Sequence, residues 1–160
     1  MNFDQAFDLL IGHEGGYAND PRDPGGETMW GVTATVARAN GYAGAMKDFP
    51  RDAAKAIYRA KYWNAVRADE LPDFIRFDVF DAAVNSGVNQ SIKWLQRAVD
   101  AKDDGLIGPA TLAAAASAGP MLAARFNGQR LQFMTDLAGW SAFGKGWARR
   151  VAANLIRLEA

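Results

Sequence analysis

His13-Glu14-Gly15-Gly16-Tyr17-Ala18-Asn19-Asp20-Pro21-Arg22-Asp23-Pro24-Gly25-Gly26-Glu27-Thr28-Met29-Trp30-Gly31 is the stretch of this sequence that a helix does not accept. It carries Gly15, Gly16, Gly25 and Gly26 ahead of Gly31, the prolines Pro21 and Pro24, and the carboxylates Glu14, Asp20, Asp23 and Glu27. Glycine and proline at this density set turns and allow close backbone approach. Before it, Phe3, Phe7, Leu10 and Ile11 share one face of a helix expected from Phe3 to about Gly12, capped by Asn2. After it, Thr28 to Val32 reads as a short strand in a small hairpin. Thr33 then caps a short helix through Ala39 that ends at Gly41.

Further along, the pattern is helical throughout. Pro50-Arg51 or Asp52 opens a helix to about Tyr62, with Ala53, Ala56, Ile57, Tyr58, Tyr62 and Trp63 on its buried face. Leu71-Pro72 leads into an apolar helix from about Arg76 to Ser86, striped by Phe77, Phe80, Asp81, Val84 and Asn85. Asn89 or Gln90 opens the next, with Ile92, Leu95 and Val99 inside. Asp103-Asp104-Gly105 and Gly108-Pro109 punctuate, and helices follow at Pro109–Ala116, Pro120–Ala138 and Gly146–Leu158. The expected fold is therefore mainly α, with a small irregular or hairpin insert near the N-terminus. A boundary near Leu71–Phe77 divides it into residues 1–72 and 73–160, packed together as one compact unit.

Composition narrows the chemistry. The 160 residues are 49% hydrophobic and 22% charged, which is globular and excludes a disordered chain. With no cysteine and one histidine, thiol nucleophiles, disulfide scaffolds and multi-histidine metal sites are ruled out. The separate expectation is of no metal and no cofactor. The 18 basic and 18 acidic residues balance, which argues against nucleic acid as a partner. Residues 1–80 nevertheless carry net −3 and residues 81–160 net +3. No run is apolar and long enough to span a membrane. Met1-Asn2-Phe3-Asp4 lacks the features of a signal peptide, so synthesis in the cytoplasm is expected.

Glu14 is the residue best placed for chemistry. It falls where the first helix stops, and the following glycines leave room for a ligand. A carboxylic acid at the edge of an apolar helix is partly desolvated, which raises its pKa and suits it to donate a proton. Glycosidic cleavage needs such an acid and usually a second carboxylate. Asp20, Asp23 and Glu27 are the candidates, set against the plain alternative that Asp-Pro-Gly-Gly is a strong turn sequence in itself. His13 fits capping or packing better than catalysis. Thr28 and Ser86 have no evident base.

Together, His13-Glu14-Gly15-Gly16-Tyr17, Asn19-Asp20-Pro21, Asp23 to Thr28 and Trp30-Gly31-Val32-Thr33 resemble the signature of glycoside hydrolase family 108, N-acetylmuramidases of phage, prophage and bacterial origin. Tyr58 to Trp63 extends the likeness. Phe77 to Asp81, Asn85-Ser86-Gly87, Trp94 to Ala98 and Asp104 to Leu112 resemble the predicted peptidoglycan-binding region that accompanies the family. The resemblance implies a lysozyme-like helical fold, a muramidase region in residues 1–72 and a peptidoglycan-binding-like region in 73–160. It also implies hydrolysis of the β-1,4 bond between N-acetylmuramic acid and N-acetylglucosamine, with Glu14 as the acid. Phage lysozymes of another family place an aspartate nine positions after their glutamate and a threonine six further. Here Asp23 stands at +9 and Thr28 at +14, one position early, which by analogy makes Asp23 the base or cation stabiliser and Thr28 the residue that positions water.

Tyr17, Asn19, Trp30 and Trp63 lie in or near the signature and are candidates to contact sugars; Asn85 is a candidate to hydrogen-bond an acetamido group. Trp94, Trp140 and Trp147 are spaced as core residues, and Phe77, Phe80 and Phe126 read as core. The expected partner is bacterial peptidoglycan, met by a monomer. Arg149 and Arg150 beside Trp147 offer contact with an anionic outer-membrane surface. The enzyme would reach the periplasmic wall after holin-type or other release. The competing readings are a wall-binding module without turnover, a secretion-associated muramidase, and a chitinase- or chitosanase-like glycosidase.

Overall fold

The computed structural model describes residues 1–12, 15–19 and 26–157. It divides into two compact units, Asn2–Lys61 and Tyr62–Ala160, the second including Met1.

In the first unit, helix α1 (Phe3–Ile11) starts at the expected cap. The Asn2 side chain accepts from the Gln5 amide, and the Gln5 side chain accepts from the Asn2 amide. Phe3, Ala6 and Phe7 form its buried face, and Tyr58 meets Phe7 edge-on at 5.3 Å. Strands β1 (Thr28–Met29) and β2 (Val32–Thr33) pair antiparallel, Thr28 with Thr33 and Met29 with Val32. A hairpin is thus present, but Thr28 to Val32 is not the single strand expected: the segment folds back on itself as two short strands about a turn. Trp30 and Gly31 occupy its turn with φ of 54° and 72°, the positive values a two-residue primed turn requires. Thr33 caps α2 (Ala34–Ala39) by accepting from the Val36 amide. A 3₁₀ turn at Met46–Asp48 precedes α3 (Arg51–Tyr58). The helix expected to run to Tyr62 changes character at its end. Residues Arg59–Trp63 form a π-helical turn, which the even 3.6-residue spacing of the sequence does not announce.

The second unit is built on α4 (Asp73–Ser86), α5 (Val88–Ala98), α6 (Pro109–Ser117), α7 (Met121–Thr135) and α8 (Trp140–Ile156). Helix α4 begins three residues before the expected Arg76, because Pro72 fixes its entry and Asp73 pairs with Arg76 across the first turn at 2.5 Å. It packs against α5 and α7, and α7 packs against α8. Every residue from Phe77 to Ala83 is buried, so α4 is covered all round rather than on one stripe. Trp94 is buried as expected and meets Phe126 and Phe133 edge-on at 6.3 and 5.4 Å. Phe77, Phe80 and Phe126 are buried too, each worth about 1.5–3 kcal/mol in apolar surface removed from water.

Helix α8 starts at Trp140, six residues before the expected Gly146. Glycines at 144 and 146 suggest a break, yet one glycine costs a helix only about 1 kcal/mol. Gly144 is buried, and a β-carbon there would lie 2.5 Å from the Trp140 ring, so its smallness lets that indole fold down on the helix. Trp140 and Trp147 are accordingly half-buried rather than core. The Asp104-Gly105 turn hangs on Gln96, whose amide donates to Asp104 and to the Leu106 carbonyl while its oxygen accepts from the Gly105 amide.

Candidate functional site

Gly15 is where the signature is fastened. A β-carbon on it would stand 2.1 Å from Cγ2 of Ile11 and 2.8 Å from Cε3 of Trp30, so no larger residue fits. Its carbonyl accepts from the Trp30 amide at 3.2 Å. Gly16 is the opposite case, with open space around the position of its absent β-carbon. The first glycine packs helix and hairpin together, and the second leaves room.

Ala18 and Thr28 exchange both backbone hydrogen bonds, at 3.0 and 2.8 Å, which joins the chain on either side of residues 19–27. Tyr17 donates its phenol to Glu27 Oε1 at 2.6 Å. That acceptor, with some desolvation, pushes the phenol above its ordinary pKa. The Glu27 carbonyl accepts from the Ala34 amide at 2.9 Å, so the carboxylate stands just ahead of the hairpin.

Trp30 holds a left-handed backbone conformation that bulky residues rarely adopt, a strain of about 1–3 kcal/mol. Its surroundings fix it there. Nε1 donates to the Phe49 carbonyl at 3.0 Å, and Arg51 lies 5.7 Å over the ring while donating to Asp8. Gly31 has no room for a side chain, since a β-carbon would sit 2.5 Å from the Tyr58 hydroxyl oxygen.

Of the residues singled out in the sequence, the structure brings Tyr17, Asn19, Thr28 and Trp30 to one hairpin and its approach. Tyr17 and Asn19 are exposed; Thr28 and Trp30 are half-buried. Glu14, Asp23, His13 and Asp20 lie outside the described residues. Trp63 is fully buried, edge-on to Phe80 at 5.3 Å, and offers no open ring face to a sugar; it is a core residue. Asn85 is exposed, with Oδ1 accepting from Arg130 at 3.4 Å. Arg149 is exposed, whereas Arg150 turns inward to Asp81. No group of acids and histidine suited to a metal occurs among the described residues.

The second unit holds a polar cluster that periodicity alone does not reveal. Asp81 accepts from Arg130 at 2.7 Å, from Arg150 at 2.7 Å and from Asn154 at 3.0 Å. Burial alone would raise its pKa, but Arg130 and Arg150 outweigh that and hold it below the usual range. One turn away, Asp78 accepts from Asn127 at 2.7 Å, and its burial pushes the carboxyl up to about 6. The signal in the sequence is Phe77-Asp78-Val79-Phe80-Asp81, two acids on a helix with no polar face to carry them.

A largely helical chain with one small hairpin after its first helix has the lysozyme-like fold. The glycosyl hydrolase 108 model matches residues 7–87, and the model of a predicted peptidoglycan domain matches residues 90–152. Among solved structures, the chain is similar to that of SagA from Brucella abortus, with 35% identity over 98% of this chain and 92% of that one, at a TM-score of 0.84. No curated protein matches it. The chain belongs to the glycosyl hydrolase 108 family. It is a glycoside hydrolase of peptidoglycan. The expected division at residues 72 and 73 falls between the junction of the compact units at Lys61–Tyr62 and the end of the family match at residue 87.

Proposed function

We propose that the protein is an N-acetylmuramidase that hydrolyses the β-1,4 bond between N-acetylmuramic acid and N-acetylglucosamine, with Glu14 as the general acid. The observation that carries this reading is the anchoring of Gly15. The residue directly after Glu14 is packed against Ile11 and Trp30 and bonded to the Trp30 amide, inside the segment matched to the hydrolase family. A proton donor must be held against its substrate, and a fixed neighbour supports that. Asp23 is the second carboxylate, activating water or stabilising the sugar cation, and Thr28 positions the water. Tyr17, Asn19 and Trp30 contact sugars. The wall is reached after release from the cytoplasm, as in a phage endolysin or a secretion-associated muramidase.

The test is Glu14→Gln. It removes proton donation while keeping shape, and cleavage of purified peptidoglycan should fall by at least about two orders of magnitude with little change in melting temperature. Undiminished cleavage would remove Glu14 from the mechanism. Mass spectrometry of the products should show muramic acid at the reducing ends; glucosamine there would make the enzyme a glucosaminidase. The predicted peptidoglycan domain favours one second reading, a wall-binding module without turnover. That reading requires wild-type protein to bind purified wall and release no reducing ends.

A further inference from the structure

A cavity of about 620 Å³ opens in the second unit beside α4 and the end of α8. Phe74, Phe77 and Pro120 give it apolar walls, and Asp78 and Arg157 bring it opposite charges. Neither charge is satisfied as those of its neighbours are. Asp78 is only 5% exposed, and among the described residues Asn127 is its single hydrogen-bond partner. Asp81 takes Arg130 and Arg150 as its own partners. Arg157 lies 4.4 Å over the Phe77 ring and donates to Asn154, yet makes no ion pair among the described residues. Asp73, also on the cavity, is engaged by Arg76 at 2.5 Å. What remains among the described residues is a carboxylate and a guanidinium that feel each other's charge but form no ion pair, over an aromatic wall.

We propose that this cavity binds the zwitterionic end of a peptidoglycan stem peptide, Asp78 receiving its ammonium and Arg157 its carboxylate. The proposal rests on peptidoglycan being the polymer on which the protein acts, and it assigns a ligand to a place remote in sequence from the glycosidase signature. Diaminopimelate in a stem peptide carries, at its distal centre, an ammonium and a carboxylate on one carbon, with a methylene chain behind them. The phenylalanine walls suit the chain, and the two charges suit the head. An ammonium would give Asp78 the close counter-charge its burial calls for, and a carboxylate would use the guanidinium N–H groups that Arg157 does not give to Asn154.

Isothermal titration of the full chain with the tripeptide L-Ala-γ-D-Glu-meso-diaminopimelate tests this. Binding is expected with Kd below about 1 mM. Acetylating the amine at the distal centre of the diaminopimelate, or amidating the carboxylate there, should each weaken binding at least about tenfold. In Asp78→Asn the penalty for acetylation should disappear, and in Arg157→Gln the penalty for amidation; circular dichroism checks that both variants are folded. Absence of binding at several millimolar overturns the proposal, as does an unchanged pair of penalties in folded variants. Cleavage of peptide-free glycan strands by the wild-type protein reports on the muramidase reading separately, since that substrate contains no stem peptide.

Discussion

The phenol of Tyr17 and the carboxylate of Glu27 meet at 2.6 Å across a backbone bridge formed by Ala18 and Thr28. Two arms of the signature, ten positions apart in sequence, are locked at this point. Both side chains are exposed or half-buried, so the bond adds little to stability. Its larger effect is to hold the two arms of the signature together. Tyr17→Phe is therefore expected to slow peptidoglycan cleavage by about tenfold while shifting the melting temperature by a few degrees at most. A dye-release assay on purified wall, paired with thermal unfolding, checks this. Full activity in the variant would show that the two arms keep their places without the bond.

Gly15 sets a sharper constraint. A methyl group there meets Ile11 at 2.1 Å and Trp30 at 2.8 Å, and Trp30 is pinned by Phe49 and Arg51. Relief must come from moving the backbone next to Glu14 or from expelling the indole. Gly15→Ala should cost about 1–3 kcal/mol of stability and most of the activity. Gly16→Ala, with open space around it, should retain the stability of the wild type. Urea titration of the pair separates packing from mere loss of glycine.

Much of this architecture is legible in the sequence because local signals agree with the fold. Asn2 and Gln5 write a capping box, Thr33 caps α2, and Gly31 follows Trp30 at a turn between short β-prone segments. The misread elements are those where tertiary packing overrides the local signal. Gly144 looks like a helix breaker until Trp140 is seen lying on it. Trp63 looks like a ligand-stacking aromatic because it closes the signature, yet it is buried against Phe80. Asp78 and Asp81 are buried in company with Asn127, Arg130, Arg150 and Asn154, partners 49 to 73 positions away that no local pattern links to them.

Asp81 is the centre of that cluster, and losing its charge should be severe. Arg130 is wholly buried, and Asp81→Asn would strand its guanidinium without a counter-charge. Breaking a buried pair from one side costs about 3–5 kcal/mol. The wild type should also weaken in acid. Because the folded protein holds the Asp81 pKa below that of the unfolded chain, the pair's contribution is present above the ordinary carboxylate range near 3.8 and is lost as pH falls below it. Chemical denaturation from pH 5 to pH 2.5 should show this fall in the wild type and a smaller one in Asp81→Asn.

Asp78 should behave in the opposite sense. Burial first, and the charge of Asp81 in addition, push its carboxyl up to about 6, against the opposing influence of Asn127, Arg157 and Arg130. Between the ordinary carboxylate value of 3.8 and about 6, the folded protein holds this proton more tightly than the unfolded chain does. Stability from this group is therefore complete in mild acid and falls as pH rises through that window, by about 3 kcal/mol in all. Asp78→Asn carries no charge to bury. Its amide also faces Asn127, whose Oδ1 is a buried acceptor without a hydrogen-bond partner among the described residues of the wild type. The variant should thus be the more stable protein at pH 7.5, by up to about 3 kcal/mol, with the difference closing by pH 4. Urea unfolding at the two pH values measures it. A carboxylate that weakens the fold at neutral pH makes physical sense if its charge is spent on a ligand, and the same tripeptide that titrates into the wild type should then raise the wild type's melting temperature and leave that of Asp78→Asn nearly unmoved.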